Sequence, residues 1–143
     1  MVAIKIMGRA IIPGDTEGIA IVSRQAISFW GGINPDTGEI IDWRHDCSGQ
    51  VIAGKVFVYP AGKGSSTSSA VLLESIKNGV APAAIILAKI DPILALGSIV
   101  ADELYGKSVP IILLSQEDFY TIQDGCHLVI LSNGMVERKE YES

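Results

Sequence analysis

Apolar residues recur along this chain in short runs separated by turn residues. Lys5 to Ile12 and Gly18 to Ser23 read as two short strands joined by the turn Pro13-Gly14-Asp15-Thr16. Val51 to Tyr59 reads as a longer apolar strand that stops at Pro60. Beyond it helical and strand patterns alternate. A helix over 67–78 closes at Asn78-Gly79, a buried strand covers 83–88, and Asp91-Pro92 opens a helix running to Leu104. A strand over 109–114 follows, then a short helix that Ser115 caps, with Asp118 at the capping-box position and an end at Asp124-Gly125. Cys126 to Leu131 is a strand, and Asn133-Gly134 is expected to form a two-residue hairpin turn into Met135 to Lys139. The ends are β and the middle is βαβαβ. This pattern predicts one α/β domain over residues 1–143, a central sheet with a β-rich flank.

Two stretches break the alternation. Phe29 to Asp46, FWGGINPDTGEIIDWRHD, crowds turn signals around two tryptophans and several charges. A long loop is expected there, with a small hairpin around residues 37–42. Loops of this length are usually functional or disordered, and the tryptophans and histidine favour an ordered one. The second stretch is the glycine turn Ala61-Gly62-Lys63-Gly64, followed by the hydroxyl residues Ser65, Ser66, Thr67, Ser68 and Ser69 at the start of a helix. Helix N-termini present unpaired N–H groups and a partial positive charge that favour anions. Gly62 and Gly64 let the backbone approach a ligand closely, and Lys63 adds a full charge. The same residues also serve as ordinary caps and turn punctuation, so both readings stand. The stretch does not have the spacing of a nucleotide-binding P-loop, because Lys63 is followed by glycine and Phe57 stands where the motif's first glycine belongs.

Composition narrows the classes. With 48% hydrophobic residues and a mean hydropathy of +0.37, the chain has a rich core or apolar surface that meets a partner. A net charge of −5 argues against nucleic acid as a partner. Met1 to Ala10 alternates like a strand rather than a signal peptide, and no apolar run is long enough for a membrane span. A cytoplasmic protein is expected. Cys47, Cys126, His45 and His127 suggest a zinc set, but neighbours in a strand point to opposite faces. No metal site is therefore expected, and Cys126 is expected to be a buried thiol.

FWGGINPDTGEIID, GKVFVYPAGKGSSTSSAVLLE, NGVAPAAIIL and DPILALGSIVADE, in this order between Arg9 and Leu114, resemble the swivel-domain protein of the aconitase X family. The resemblance implies a swivelling β/β/α fold like the mobile fourth domain of aconitase. It implies a small subunit that binds no cofactor alone. Its large partner subunit would carry an iron–sulfur cluster, or an equivalent metal, and most of the substrate pocket. The implied reaction is dehydration of a small hydroxy acid such as 5-phosphomevalonate or cis-3-hydroxy-L-proline. The spelling Lys63-Gly64-Ser65-Ser66-Thr67-Ser68-Ser69 favours the second. Carried onto this chain, the catalytic serine falls at Ser65. Thr67 stands where aconitase has arginine, so a carboxylate-binding arginine would come from elsewhere, such as the large subunit.

Lys63, Gly64, Ser66 and Thr67 are then candidates to bind the substrate, with helix capping as the alternative for the two hydroxyls. Gly31 and Gly32 either line the same pocket or make a tight turn. Trp30 and Trp43 are expected as loop anchors or interface contacts, Asp42 and His45 as a possible second acid–base pair, and Asp102 and Glu103 as a solvated helix face.

Proton removal beside a carboxylate needs a base of alkoxide strength. Lowering an alcohol's pKa by roughly six units costs about 8 kcal/mol, and a helix N-terminus supplies at most about 2 kcal/mol. The loop is thus expected to catalyse only with a partner that excludes water and brings a Lewis-acid metal. The competing reading is a non-catalytic anion-binding or regulatory swivel module. A serine hydrolase elbow, Gly-x-Ser-x-Gly, is not matched by Gly64 to Ser68.

Overall fold

The computed structural model describes residues 2–63 and 66–140, with the backbone alone at Val2, Ala3 and Glu140. The expected site residues Gly64 and Ser65 lie outside the described residues. The strands are β1 (Val2–Met7), β2 (Arg9–Ile12), β3 (Thr16–Val22), β4 (Val56–Val58), β5 (Ala84–Leu87), β6 (Ile111–Leu113), β7 (His127–Ile130) and β8 (Met135–Glu140). The helices are α2 (Ser68–Lys77), α3 (Pro92–Tyr105) and α4 (Gln116–Phe119), preceded by α1 (Phe29–Gly32), a single turn whose Trp30 and Gly31 have non-helical dihedrals. All eight strands form one mixed sheet in the order β1-β8-β7-β3-β4-β5-β6-β2.

The expected strand from Lys5 to Ile12 is broken at Gly8. Its first half pairs with β8 and its second with β6, on opposite edges of the sheet. A Cβ at Gly8 would meet Ile112 Cγ2 at 2.6 Å and Leu114 Cδ2 at 2.7 Å, so glycine permits the crossing. Because one residue joins the two edge strands, the sheet is curled nearly into a barrel.

β3, β4, β5 and β6 run parallel, and β4 and β5 are buried on both faces. Phe57, Tyr59, Ile85 and Leu87 pack with Leu72 and Leu94 of the helices. Val56, Val58, Ile86 and Ile112 pack with Phe119, Ile122 and Leu128 on the opposite face. No helix among the described residues is long and apolar enough to cross a membrane.

Other elements shift from expectation. The strand expected over 51–59 is regular only at Val56–Val58, because Val51 bridges Glu39 instead. The small hairpin lies one turn earlier than residues 37–42, closed by Asn34 N–H to Glu39 O (2.9 Å) and the bridge Ile33–Ile40. The last hairpin has a three-residue loop, Ser132 to Gly134. Leu131 N–H reaches Met135 O at 2.9 Å, and Gly134 adopts φ +96°. α4 is a single turn, shorter than the segment expected to run to Asp124-Gly125.

Candidate active site

Parallel pairing of β3 and β4 sends the segments after Val22 and Val58 out of the same end of the sheet, where ligands bind in open α/β sheets. These segments carry the two stretches that stood out in the sequence, and the backbone fastens them together. Ile27 N–H donates to Ala61 O at 3.2 Å, and Lys63 N–H donates to Ile27 O at 3.1 Å. Buried Phe29 packs against Phe57 and Tyr59, with ring centroids 6.5 and 6.2 Å away. The Ser28 and Ser68 hydroxyls lie 3.2 Å apart, tying this layer to the first turn of α2.

Between the two loops is an open cleft of about 430 Å³, lined by Ser28, Trp30, Gly31, Gly32, Ile41, Asp42, Trp43, Arg44, His45 and Lys63. Gly31 and Gly32 line this cleft beside Lys63, and they turn the chain. Gly31 has φ +78°, and a Cβ on Gly32 would meet Ile27 Cγ1 at 2.8 Å. Ser66 and Thr67 are exposed where the chain enters α2 and are not among the described residues lining this cleft. Thr67 already has helical dihedrals (φ −79°, ψ −13°), and the Ser66 carbonyl accepts the Ser69 hydroxyl at 3.1 Å.

Trp30 and Trp43 are not loop anchors, since they are 59% and 78% exposed on the cleft rim. The Arg44 guanidinium lies 4.9 Å above the Trp43 ring. Asp42 does not pair with His45 through its side chain. Its carboxylate accepts the Arg44 N–H at 3.1 Å.

His45 is buried and faces inward. Its Nδ1 accepts the Cys47 N–H at 3.2 Å, which places the ring proton on Nε2, 3.1 Å from Ser23 Oγ and 3.3 Å from Gln25 O. Ser23 in turn donates to Asp46 Oδ1 at 2.6 Å and accepts the Gln25 N–H at 2.9 Å. These three residue types resemble a nucleophilic triad, but the proton arrangement is wrong. The serine gives its hydrogen to the aspartate rather than to the imidazole, and it has no solvent exposure. The cluster is a clasp that holds the Asp42–His45 rim to the end of β3.

Burial pushes the Asp46 carboxyl up, but the hydrogen bonds it accepts from the Ser23 hydroxyl and the Arg24 N–H bring it below its ordinary 3.8. Burial, reinforced by the Asp46 charge, pushes the Cys47 thiol up to about 12. The ligand atoms of His45, Asp46 and Cys47 lie within 4.8 Å of one another. Each is already committed within the clasp, and the thiol stays protonated. Cys126 and His127 stand elsewhere, with His127 Nε2 2.7 Å from Glu17. The four-residue zinc set is thus not assembled. Cys126, expected to be buried, is only partly so, and Cys47 is the buried thiol. An iron–sulfur cluster asks for several thiolates. Two cysteines, one held neutral, do not fit it.

Sequence reasoning passed over Arg44, Ser28 and Ser23, which have no local motif. It read Asp91 only as a helix cap. That role is confirmed by Leu94 N–H to Asp91 Oδ1 at 3.1 Å, while Asp91 Oδ2 lies against Gly62.

Comparison with known proteins decides the family. Residues 5–138 match the family model described as the aconitase X swivel domain. The chain belongs to the aconitase X swivel-domain family. It is similar to aconitase X of Thermococcus kodakaraensis, solved in its holo-form. The TM-score is 0.86 at 38% identity, over 96% of this chain and 99% of that one. It is 38% identical over 139 residues to the phosphomevalonate dehydratase small subunit of Methanosarcina mazei, covering 96% of this chain and 92% of that protein. It is 46% identical over 111 residues to the cis-3-hydroxy-L-proline dehydratase of Pseudomonas aeruginosa, covering 78% of this chain and 19% of that protein. The swivel domain thus spans about a fifth of the length of the hydroxyproline dehydratases it matches. The swivelling α/β fold expected from the sequence is the fold observed.

Proposed function

We propose that residues 1–143 act as one swivel domain that supplies the serine loop of an aconitase X hydro-lyase, as a small subunit working with a large one. The observation that carries this reading is that Gly31, Gly32 and Lys63, from the two unusual stretches, share one open cleft beside the start of α2. The names of the relatives supply the chemistry, dehydration of a hydroxy acid. cis-3-Hydroxy-L-proline and 5-phosphomevalonate are the candidate substrates.

In this reading Ser65, flanked by Lys63 on the cleft and Ser66 before α2, takes the proton from the carbon beside the carboxylate. The Lys63 ammonium and the N–H groups of α2's first turn stabilise the negative charge that the serine oxygen must carry. Their contribution falls short of the roughly 8 kcal/mol required in water, so a partner that closes the cleft is part of the mechanism. The exposed tryptophans are one surface for that partner. The exposed Ile93, Leu96 and Leu104 along one stripe of α3 are another. The iron–sulfur cluster or equivalent metal belongs to the large subunit.

The test is co-expression with the large subunit and assay of both hydroxy acids. Ser65→Ala should lower kcat by roughly 10²-fold or more while the complex still assembles. Turnover by the isolated chain, or normal turnover by the Ser65→Ala complex, would refute the reading. Anion binding with no turnover in any complex would instead leave a non-catalytic module.

A further inference from the structure

We propose that Arg44 and Lys63 form an oxyanion subsite in the cleft, and that Arg44 selects the anionic group of the ligand. This rests on the hydro-lyase reading only for the identity of that ligand, a small hydroxy acid with a carboxylate or phosphate.

The charges point to it. The chain carries a net −5, yet two cations line this one cleft. Among the described residues, no carboxylate forms a salt bridge with either of them. Asp42 is the cleft's acidic residue, and its carboxylate is turned to the Arg44 backbone N–H. Both cations are mounted on fixed backbone. Lys63 N–H is bonded to Ile27 O at 3.1 Å. Arg44 sits in a turn closed by His45 N–H to Asp42 O at 3.0 Å, and the buried Ser23 clasp holds the residues that follow it.

The Arg44 guanidinium lies over the exposed Trp43 ring, 4.9 Å from its centroid, a cation–π contact, and a guanidinium offers the planar fork that a carboxylate or phosphate takes in two-point contact. On another wall Gly31 has no atom within 4 Å of where a Cβ would stand, so a ligand can reach the backbone there. A cleft of about 430 Å³ is in the range that small-molecule sites occupy.

The only two tryptophans of the chain both line this cleft, so intrinsic fluorescence reads it directly. The purified chain should show a saturable emission change with inorganic phosphate, with cis-3-hydroxy-L-proline, or with both, at constant ionic strength. The anion that saturates at lower concentration identifies the group the subsite is built for. Arg44→Gln and Lys63→Gln should each weaken binding about tenfold or more, whereas Lys107→Gln should leave it unchanged. Arg44→Lys, which keeps the charge but loses the planar fork, should stay weakened. In the assembled enzyme Arg44→Gln should raise KM with kcat nearly kept, the opposite of Ser65→Ala. A change matched by sodium chloride, or titrations identical in Arg44→Gln, would overturn the subsite. So would an Arg44→Gln enzyme with unaltered KM, even if Ser65 proved catalytic. Arg44-dependent anion binding without any turnover would keep the subsite and remove the hydro-lyase reading.

Discussion

The Asp91 carboxylate divides its two oxygens between a helix and a loop. Oδ1 accepts the Leu94 N–H at 3.1 Å and caps α3, while Oδ2 lies against Gly62 in the turn leading to the serine loop. The geometry of that turn is therefore coupled to the start of a helix nearly thirty residues further on.

Gly62→Ala tests the coupling. Its Cβ would occupy the space of Asp91 Oδ2, and Asp91 is too short to move away without releasing Leu94. We expect a loss of about 1–3 kcal/mol in urea unfolding, combining overpacking with partial loss of the cap. In the double variant Gly62→Ala/Asp91→Ala the clash is gone, so the combined cost should fall below the sum of the two single ones. Strict additivity would show that the two residues do not communicate.

Ser23→Ala addresses the clasp. It strips Asp46 and the His45 Nε2–H of a shared buried partner, which should cost about 1–3 kcal/mol. It should also loosen the cleft rim, lowering the tryptophan anisotropy of the folded protein. Because the Ser23 hydrogen points to Asp46, the native protein should not be labelled at this serine by fluorophosphonates. Labelling there would make Ser23 a nucleophile and refute the structural role.

The helices and parallel strands were legible because their punctuation is local. Asp91-Pro92, Ser115 and Asn78-Gly79 sit where caps belong, and Ala84 to Leu87 is apolar on both faces as a central parallel strand should be. Gly8 has the local pattern of a strand interior, because the fact that makes it a break, the approach of Ile112 and Leu114, lies a hundred residues away. The site shows the same limit. Lys63, Gly31 and Gly32 announced themselves by turn chemistry. Ser28 owes its place to a backbone pairing, Ile27 with Gly62, and Arg44 to the Ser23 clasp, neither of which a local pattern encodes. His45 follows the same rule: a loop position points to exposure, and the Ser23 clasp draws the ring inside.

Two shifted groups in the clasp set the pH range of its stability. Asp46 titrates below its ordinary 3.8, so its contribution is fully present above that value and is lost as pH falls through its folded pKa. Cys47 is raised from 9.0 to about 12. Its neutral thiol contributes fully below pH 9 and the contribution declines as pH rises toward 12. A plateau between pH 4 and 9 in urea midpoints is expected from this pair. Asp46→Asn should flatten the acid limb and Cys47→Ala should shrink the alkaline one. A thiol reagent at pH 8 should modify Cys47 only on unfolding, and rapid labelling of the native protein would contradict the burial argument.

Tyr59 gives the sharpest test of the core beneath the site. The residue has no solvent exposure, and among the described residues its hydroxyl has no hydrogen-bond partner. Burial, with the Asp91 charge as a lesser cause, holds the phenol well above its ordinary value, so it remains a neutral donor at any physiological pH. A buried hydroxyl without a partner costs about 1–3 kcal/mol relative to an apolar group of the same shape. Tyr59→Phe keeps the ring contacts with Phe29 and Phe57, at 6.2 and 4.5 Å between centroids, and removes only the oxygen. The isolated chain should therefore become more stable, by about 1 kcal/mol or more in urea unfolding. The same substitution should reduce the alkaline loss of stability, since a raised phenol contributes below its ordinary pKa of 10.0 and is lost above it. A destabilised Tyr59→Phe protein would show instead that the hydroxyl is satisfied in solution.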